Sequence, residues 1–397
     1  MLRRPLEPEP ILGAAWSKDS RTSHQDSLAG SVPRVSPITE NTPQSRDFQN
    51  DLPLHPAARE LLTYFFDAGW PDPTKIHQQS AQLRNHIGAA RESIAANLGI
   101  STSELEVVGE LGFGFQTAMG GLLSPEKEFV LSQIDRQVIH ALARKHSQTG
   151  GRVTVINPDH NGVVDFQTAL GDVTGVLSWQ GTNREVGVKQ VAPTMKETQS
   201  LFADMTAQYP LRSLPEKWDS ALWDPRNFGG PQGIALIGIK DRGHWRNPGP
   251  EVDKRRVYGS FSKPLLLATA VALENWIKNA DQEIAHISKL NTTLRQQLQT
   301  LIPQIQIASP LDADPRFLAF VIPGVIAEEL LRKVEKDGFL IDAGSACGAG
   351  ALSPSHVLEA MGYSADGNFR MTIKAHHTDE SVKGVVEALV KGIAASA

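Results

Sequence analysis

The sequence predicts an α/β protein with a mostly parallel central sheet, followed by a smaller α+β domain. Three observations carry this reading. From Pro53 onward, apolar residues recur alternately at helical and strand spacing, the rhythm of a sheet whose parallel strands are joined by helices. After Gln304 that rhythm shifts to shorter strands and helices in a different order. The 397 residues, 40% hydrophobic and 21% charged, have a globular balance and the length of two domains of roughly 100–200 residues.

Residues 1–52 carry six prolines and many Ser, Thr, Asp and Arg residues. Such a stretch buries too little apolar surface to offset its ordering entropy and reads as a disordered tail. It also lacks the apolar core of a secretory signal. The large domain spans 53–262. In it Ala57–Asp67, His77–Leu98 and Asp135–His146 have helical spacing, and Phe166–Leu170 has room for one helical turn. Leu105–Val108, Phe129–Leu131, Val153–Ile156, Val173–Ser178 and Ile234–Ile239 read as strands. Residues 263–303 form connecting helices, one or two within Pro264–Leu301. The small domain, 304–397, reads as strands Ile305–Ile307, Phe317–Ile322, Phe339–Ile341 and Phe369–Lys374 with helices Ile326–Asp337, Pro354–Met361 and Asp379–Ala394.

Charge and composition exclude several roles. A net charge of −5 gives no bulk attraction to nucleic acid or to anionic membranes. The longest apolar run, Pro264–Val271, is far short of the roughly 20 residues of a spanning helix, and a cytoplasmic protein is expected. A single cysteine, Cys347, excludes an intramolecular disulfide and any multi-thiolate metal site. His140, His356, His376 and His377 have no metal-ligand spacing with carboxylates, and the His376-His377 pair reads as a solvated strand end.

The most informative string is Gly344-Ser345-Ala346-Cys347-Gly348-Ala349-Gly350, followed by Ser353-Pro354-Ser355-His356-Val357-Leu358. Small residues around the cysteine make a sterically open loop, and Ser353-Pro354 reads as a helix start. Spacing alone leaves two readings open: a thiol that reacts if its pKa falls, and a small buried cysteine in a glycine-rich turn.

This string closely resembles the persulfide-forming loop of cysteine desulfurases, members of the class V aminotransferase family. The resemblance extends over roughly 53–395. Asp72-Pro73-Thr74-Lys75-Ile76-His77, Asn183-Arg184-Glu185-Val186-Gly187, Phe202-Ala203-Asp204 and Phe228-Gly229-Gly230-Pro231-Gln232-Gly233 are similar to family motifs. It implies the fold-type-I PLP-transferase (aminotransferase-like) architecture, an α/β large domain with a small α+β domain from the C-terminal part and some N-terminal chain. It also implies pyridoxal 5′-phosphate (PLP) as cofactor, L-cysteine or a similar small amino acid as substrate, a sulfur-acceptor protein and a homodimer. By position, Cys347 accepts the sulfur, Arg370 clamps the substrate carboxylate, Asp204 pairs with the pyridine nitrogen and Asn183 lies beside the ring.

The chain departs from the family wherever PLP is gripped. The imine-forming lysine aligns with Asn227 in Asp224-Pro225-Arg226-Asn227, and the ring-stacking histidine with Arg136. The phosphate cradle aligns near Gly109–Phe113, where Gly112 and Gly114 offer backbone N–H groups at a helix start but no hydroxyl. The family's N-terminal Asp-Asn-Ala-Ala-Thr-Thr loop has no counterpart before Pro53, and its partner-reaching phosphate segment aligns with Val257–Ser262, beside which Lys263 is the one substitute amine. A carboxamide forms no imine. Two functions follow: sulfur mobilisation from L-cysteine, with a persulfide on Cys347 and release of alanine, and a non-catalytic relative that binds, regulates or accepts sulfur. Another class V reaction on an amino acid leaves the cysteine loop unexplained.

Overall fold

The computed structural model describes residues 43–49, 52–240, 243–249, 261–346, 352–364 and 366–395. In the large domain α1 (Pro56–Ala68) and α2 (Gln78–Leu98) precede β1 (Leu105–Val108), α3 (Leu111–Gly120) and β2 (Glu128–Ser132). Then come α4 (Gln137–Gln148), β3 (Val153–Ile156), α5 (Phe166–Leu170), β4 (Gly175–Gln180), β5 (Ser200–Asp204), β6 (Ser220–Trp223) and β7 (Ala235–Ile239). The strands form one seven-stranded sheet in the order β1-β7-β6-β5-β4-β2-β3. Neighbours from β6 to β3 run parallel, while β7 is antiparallel to both β6 and β1. Every residue of β4 to β7 is buried, as expected for strands covered on both faces.

Helix α6 (Lys263–Ile277) is buried along most of its length and packs on α1 and α2. Ser262 caps it and Pro264 occupies its first turn, where a missing N–H costs nothing. Helix α7 (Ala280–Leu301) then leads into the small domain, β8 (Gln306–Ile307), β9 (Phe317–Val321), α8 (Ala327–Lys336), β10 (Asp342–Ala343), β11 (Ser345–Ala346), β12 (Leu352–Ser353), α9 (His356–Ala360), β13 (Asn368–Thr372) and α10 (Asp379–Ala394). Its antiparallel sheet has the order β10-β13-β9-β8, and α10 packs on α7 and α8. Among the described residues no helix is long and apolar enough to cross a membrane.

Two strands of the large domain lie outside the reading by spacing. β5 was marked only at its end, through the resemblance, and β6 was not anticipated. Both are short, wholly buried runs without the polar alternation that betrays a half-exposed strand.

The disordered-tail expectation fails for residues 43–49. Phe48 is fully buried and stacks on His377 with ring centroids 4.0 Å apart. Its carbonyl accepts from the Thr372 N–H at 2.7 Å, and Asp47 makes a parallel bridge with Leu340. The segment was read by local composition, whereas its partners lie at the other end of the chain. Two further expectations change with it. His377 is not solvated: it is 1% exposed, accepts from the Lys374 N–H at Nδ1 and so donates from Nε2 to the Asp47 carbonyl. Burial, with His376 adding to it, pushes the His377 pKa down to about 3. The strand expected at Phe339–Ile341 lies later, at Asp342–Ala343, because Leu340 is engaged by Asp47.

Candidate active site

The chain turns sharply after β6. The Asp224 carboxylate caps a short 3-10 turn, Pro225–Phe228, by accepting from the Arg226 N–H, and Gly229 closes it at φ 72°, a conformation that favours glycine. A Cβ on Gly230 would lie 2.7 Å from the Pro225 Cβ, so the sequence of this turn is dictated by its tightness. The turn aims Asn227 inward, where it is 5% exposed. Its Nδ2 donates to the Gln208 carbonyl at 3.0 Å, and its Oδ1 accepts from Arg316 Nη1 at 2.8 Å. Residue 227 is thus a cross-link between the loop after β5 and the small domain.

Arg316 is itself buried and is gripped by Asp314 through two bonds of 2.9 Å, with a further bond to the Ala207 carbonyl. Burial alone would raise the Asp314 carboxyl, but the bidentate guanidinium outweighs it and holds the pKa below the usual value. The same balance holds at Asp224, where Arg226 and Arg184 overcome burial. Two arginine–aspartate pairs therefore flank the carboxamide. Asp314 and Arg316 escaped the sequence reading because Asp314-Pro315-Arg316 carries no motif that points to residue 227.

At the far end of β5, Asp204 is 2% exposed. Its Oδ1 accepts from the Thr206 N–H and hydroxyl at 2.9 and 2.6 Å. Its Oδ2 has no hydrogen-bond partner and lies 3.3 Å from Arg136 Nε, an atom equally without one. Arg136 also donates to the Thr206 hydroxyl at 2.7 Å and sets its guanidinium 5.6 Å from the Phe115 ring centre. Beside them Asp135 is buried. Burial, with the Asp204 charge adding to it, pushes its carboxyl up to about 8 despite the bond it accepts from the Ser132 N–H.

Asn183 spends its amide on its own loop. Nδ2 donates to the Ile134 carbonyl and Gln180 Oε1, while Oδ1 accepts from the Glu185 and Val186 N–H groups. That fills its two donors and two lone pairs, so its role is to shape the loop. At the start of α3 the two glycines differ. A Cβ on Gly114 would meet Leu222 at 2.8 Å, so this glycine serves helix-on-strand packing, whereas a Cβ on Gly112 would point into open space. Lys263 lies with Gly109, Gly233, Trp70 and Phe261 around a cleft of about 450 Å³. The segment 257–260, part of the expected phosphate-reaching stretch, lies outside the described residues.

On the small-domain side, Arg370 in β13 is 24% exposed and pairs with Glu185 at 3.7 Å and Asp342 at 3.5 Å. Glu185 also accepts from the Ser355 hydroxyl, and Ser355 caps α9. His356 Nε2 bonds the Asp135 carbonyl at 2.9 Å and its ring meets that of His140 edge-on. The hairpin of β11 and β12 pairs Ser345 with Ser353 and Ala346 with Leu352. Cys347 belongs to the stretch between these strands and lies outside the described residues. Among the described residues no cluster of His, Cys, Asp or Glu could hold a metal ion.

These residues do not fit an imine-linked PLP. The unsatisfied Asp204 Oδ2, an acceptor suited to a ring N–H, already faces a guanidinium. Asn227, which the motif likeness sets in the place of the amine, is a carboxamide bonded on both sides.

No family profile matches the chain. The "Cysteine desulfurase IscS" of Clostridium botulinum is 24% identical over 370 residues, covering 87% of this chain and 93% of the relative. A "Cysteine desulfurase" of Nostoc sp. is 23% identical over 357 residues, covering 85% and 89%. A solved NifS-like protein superposes with a TM-score of 0.77 at 20% identity, over 88% of this chain and 99% of its own. The fold-type-I architecture and the likeness to cysteine desulfurases expected from the motifs both hold.

Proposed function

We propose that this cysteine-desulfurase-like chain of the class V aminotransferase family serves sulfur mobilisation from L-cysteine, with Cys347 as the thiol that carries the sulfur. Support comes from similarity to cysteine desulfurases along most of the chain and from the loop string around Cys347. Arg370 is the carboxylate anchor in this reading. Its guanidinium has the fork geometry for a bidentate carboxylate, and it now rests on Glu185 and Asp342. A homodimer and a downstream acceptor protein belong to the same proposal.

Within that function, one observation favours accepting sulfur over generating it: Asn227, bonded to Gln208 and Arg316, stands where the amine is required. Without an amine the C–S bond of cysteine is not activated here by imine chemistry. The chemistry left to the thiol is transfer. The Cys347 thiolate attacks the terminal sulfur of a small persulfide such as cysteine persulfide. The donor's S–S bond breaks, a new S–S bond forms on Cys347, and the donor leaves as its thiolate.

The test is to incubate purified protein with PLP and L-cysteine, and separately with cysteine persulfide. Expected are no alanine above background in the first case, and one added sulfur on Cys347 by mass spectrometry in the second. Alanine turnover with pyridoxyl trapped by borohydride on a lysine would make the chain a sulfur generator. An unlabelled Cys347 would end the sulfur-carrying reading altogether.

A further inference from the structure

The end of β5 poses a question of charge. Asp204 ends a fully buried strand, and a buried carboxylate without a cation is strongly disfavoured. Its immediate neighbour Asp135 worsens the balance if ionised. In a protein that binds a pyridinium ring, the ring N–H would complete Oδ2. Here the same oxygen faces Arg136, at 3.3 Å.

We infer that Arg136 is the resident counter-ion of Asp204, filling with its guanidinium the slot that a cationic heteroaromatic ring would otherwise occupy. The geometry supports it at each edge of the planar group. Nη2 donates to the Thr206 hydroxyl, which in turn donates to Asp204 Oδ1. The Phe115 ring lies beside the guanidinium, the kind of aromatic face that holds a flat cation. Nε closes on Oδ2 without the alignment of a hydrogen bond. The contact is one of charge rather than of hydrogen-bond geometry.

Asp135 fits the same account. One guanidinium balances one carboxylate, and the second acid of the site is held in its neutral form. Arg316 does the corresponding work at the other end, where it bonds the residue in the lysine position. Loss of the amine and closure of the ring slot are therefore linked: with arginine on Asp204, an amine at 227 would have no ring to meet.

The inference rests on the reading that this site forms no imine, and its test is chosen to be independent of imine chemistry. Pyridoxine 5′-phosphate has the ring, the nitrogen and the phosphate but no aldehyde. Four proteins are compared: the wild type, Arg136→Ala, Asp204→Asn and the double variant. Arg136→Ala is expected to lower Tm by about 3–6 °C, the scale of a stranded, partly buried charge. Adding Asp204→Asn is expected to return most of that loss, because the stranded charge is gone. Arg136→Ala is expected to bind pyridoxine 5′-phosphate at least tenfold more tightly than the wild type, and the double variant to lose that gain. A double variant no more stable than Arg136→Ala would overturn the counter-ion role. Binding no tighter in Arg136→Ala than in the wild type would overturn the claim of a ring-sized slot. Failure of the non-imine reading has a different signature: wild-type protein carrying pyridoxyl on a lysine after borohydride.

Discussion

On the small-domain side, Arg370 stands in β13 within reach of Glu185 and Asp342, and Ser355 starts α9. On the large-domain side, Asn227 is bonded to Arg316, which reaches it from the small domain, and Asp204 is paired with Arg136. The difference lies in what each polar group is bonded to. Arg370 is held at long range and partly exposed, so an incoming carboxylate can compete for it. Asn227 and Arg316 are buried and share short, aligned bonds, so anything entering there must first replace them. One side has the looser pairing of a surface, and the other has the bonding of a core.

Four changes would break or sharpen that contrast. The largest effect is expected from Cys347→Ser, which should abolish sulfur loading from cysteine persulfide, read by mass spectrometry, and leave Tm unchanged. Next, Arg316→Ala should cost about 3–5 kcal/mol in urea unfolding, because it strands the buried Asp314 carboxylate; replacing Asp314 as well should recover much of it. A loss within error would mean that the rebuilt side is not core-like. Third, Arg370→Ala should slow loading from cysteine persulfide by about ten- to a hundredfold, the worth of roughly 1.5–3 kcal/mol for a charged hydrogen bond. Loading from inorganic polysulfide, which has no carboxylate, should not change. Equal slowing of both would assign Arg370 to structure alone.

The fourth change concerns pH. Asp135 has a folded pKa of about 8, raised from 3.8. Between those values the native state keeps a proton that the unfolded chain releases. The associated stability is complete below about pH 3.8 and is lost as pH rises through about 8. Asp135→Asn should therefore flatten the decline of stability across this window, measured by urea unfolding at several pH values. An unaltered slope would show that the carboxyl is not held neutral.

Much of the fold was legible because it rests on local periodicity: α1, α2, α4 and α10 announce themselves by apolar spacing, and β1 and β3 lie where the short apolar runs put them. Motif likeness is what singles out the cysteine loop, Arg370 and Asn227 as site candidates. What stayed hidden depends on distant pairing. Nothing around Arg316 reveals that it reaches the carboxamide of Asn227, and nothing around Glu185 reveals that it joins Arg370 to Ser355. Asn183 was legible as a position but not as a role, because its loop consumes the whole amide.

Phe48 has a consequence for how this protein is made. The segment around it is made before the groove that receives it, which is built by Leu340, Thr372 and His377, and the Lys374 ammonium that holds the Asp47 carbonyl lies 327 residues downstream. The small lobe cannot close until the chain through Lys374 has been made. An expression clone that begins at residue 53 would yield a lobe with an open apolar socket, however faithfully the rest were synthesised.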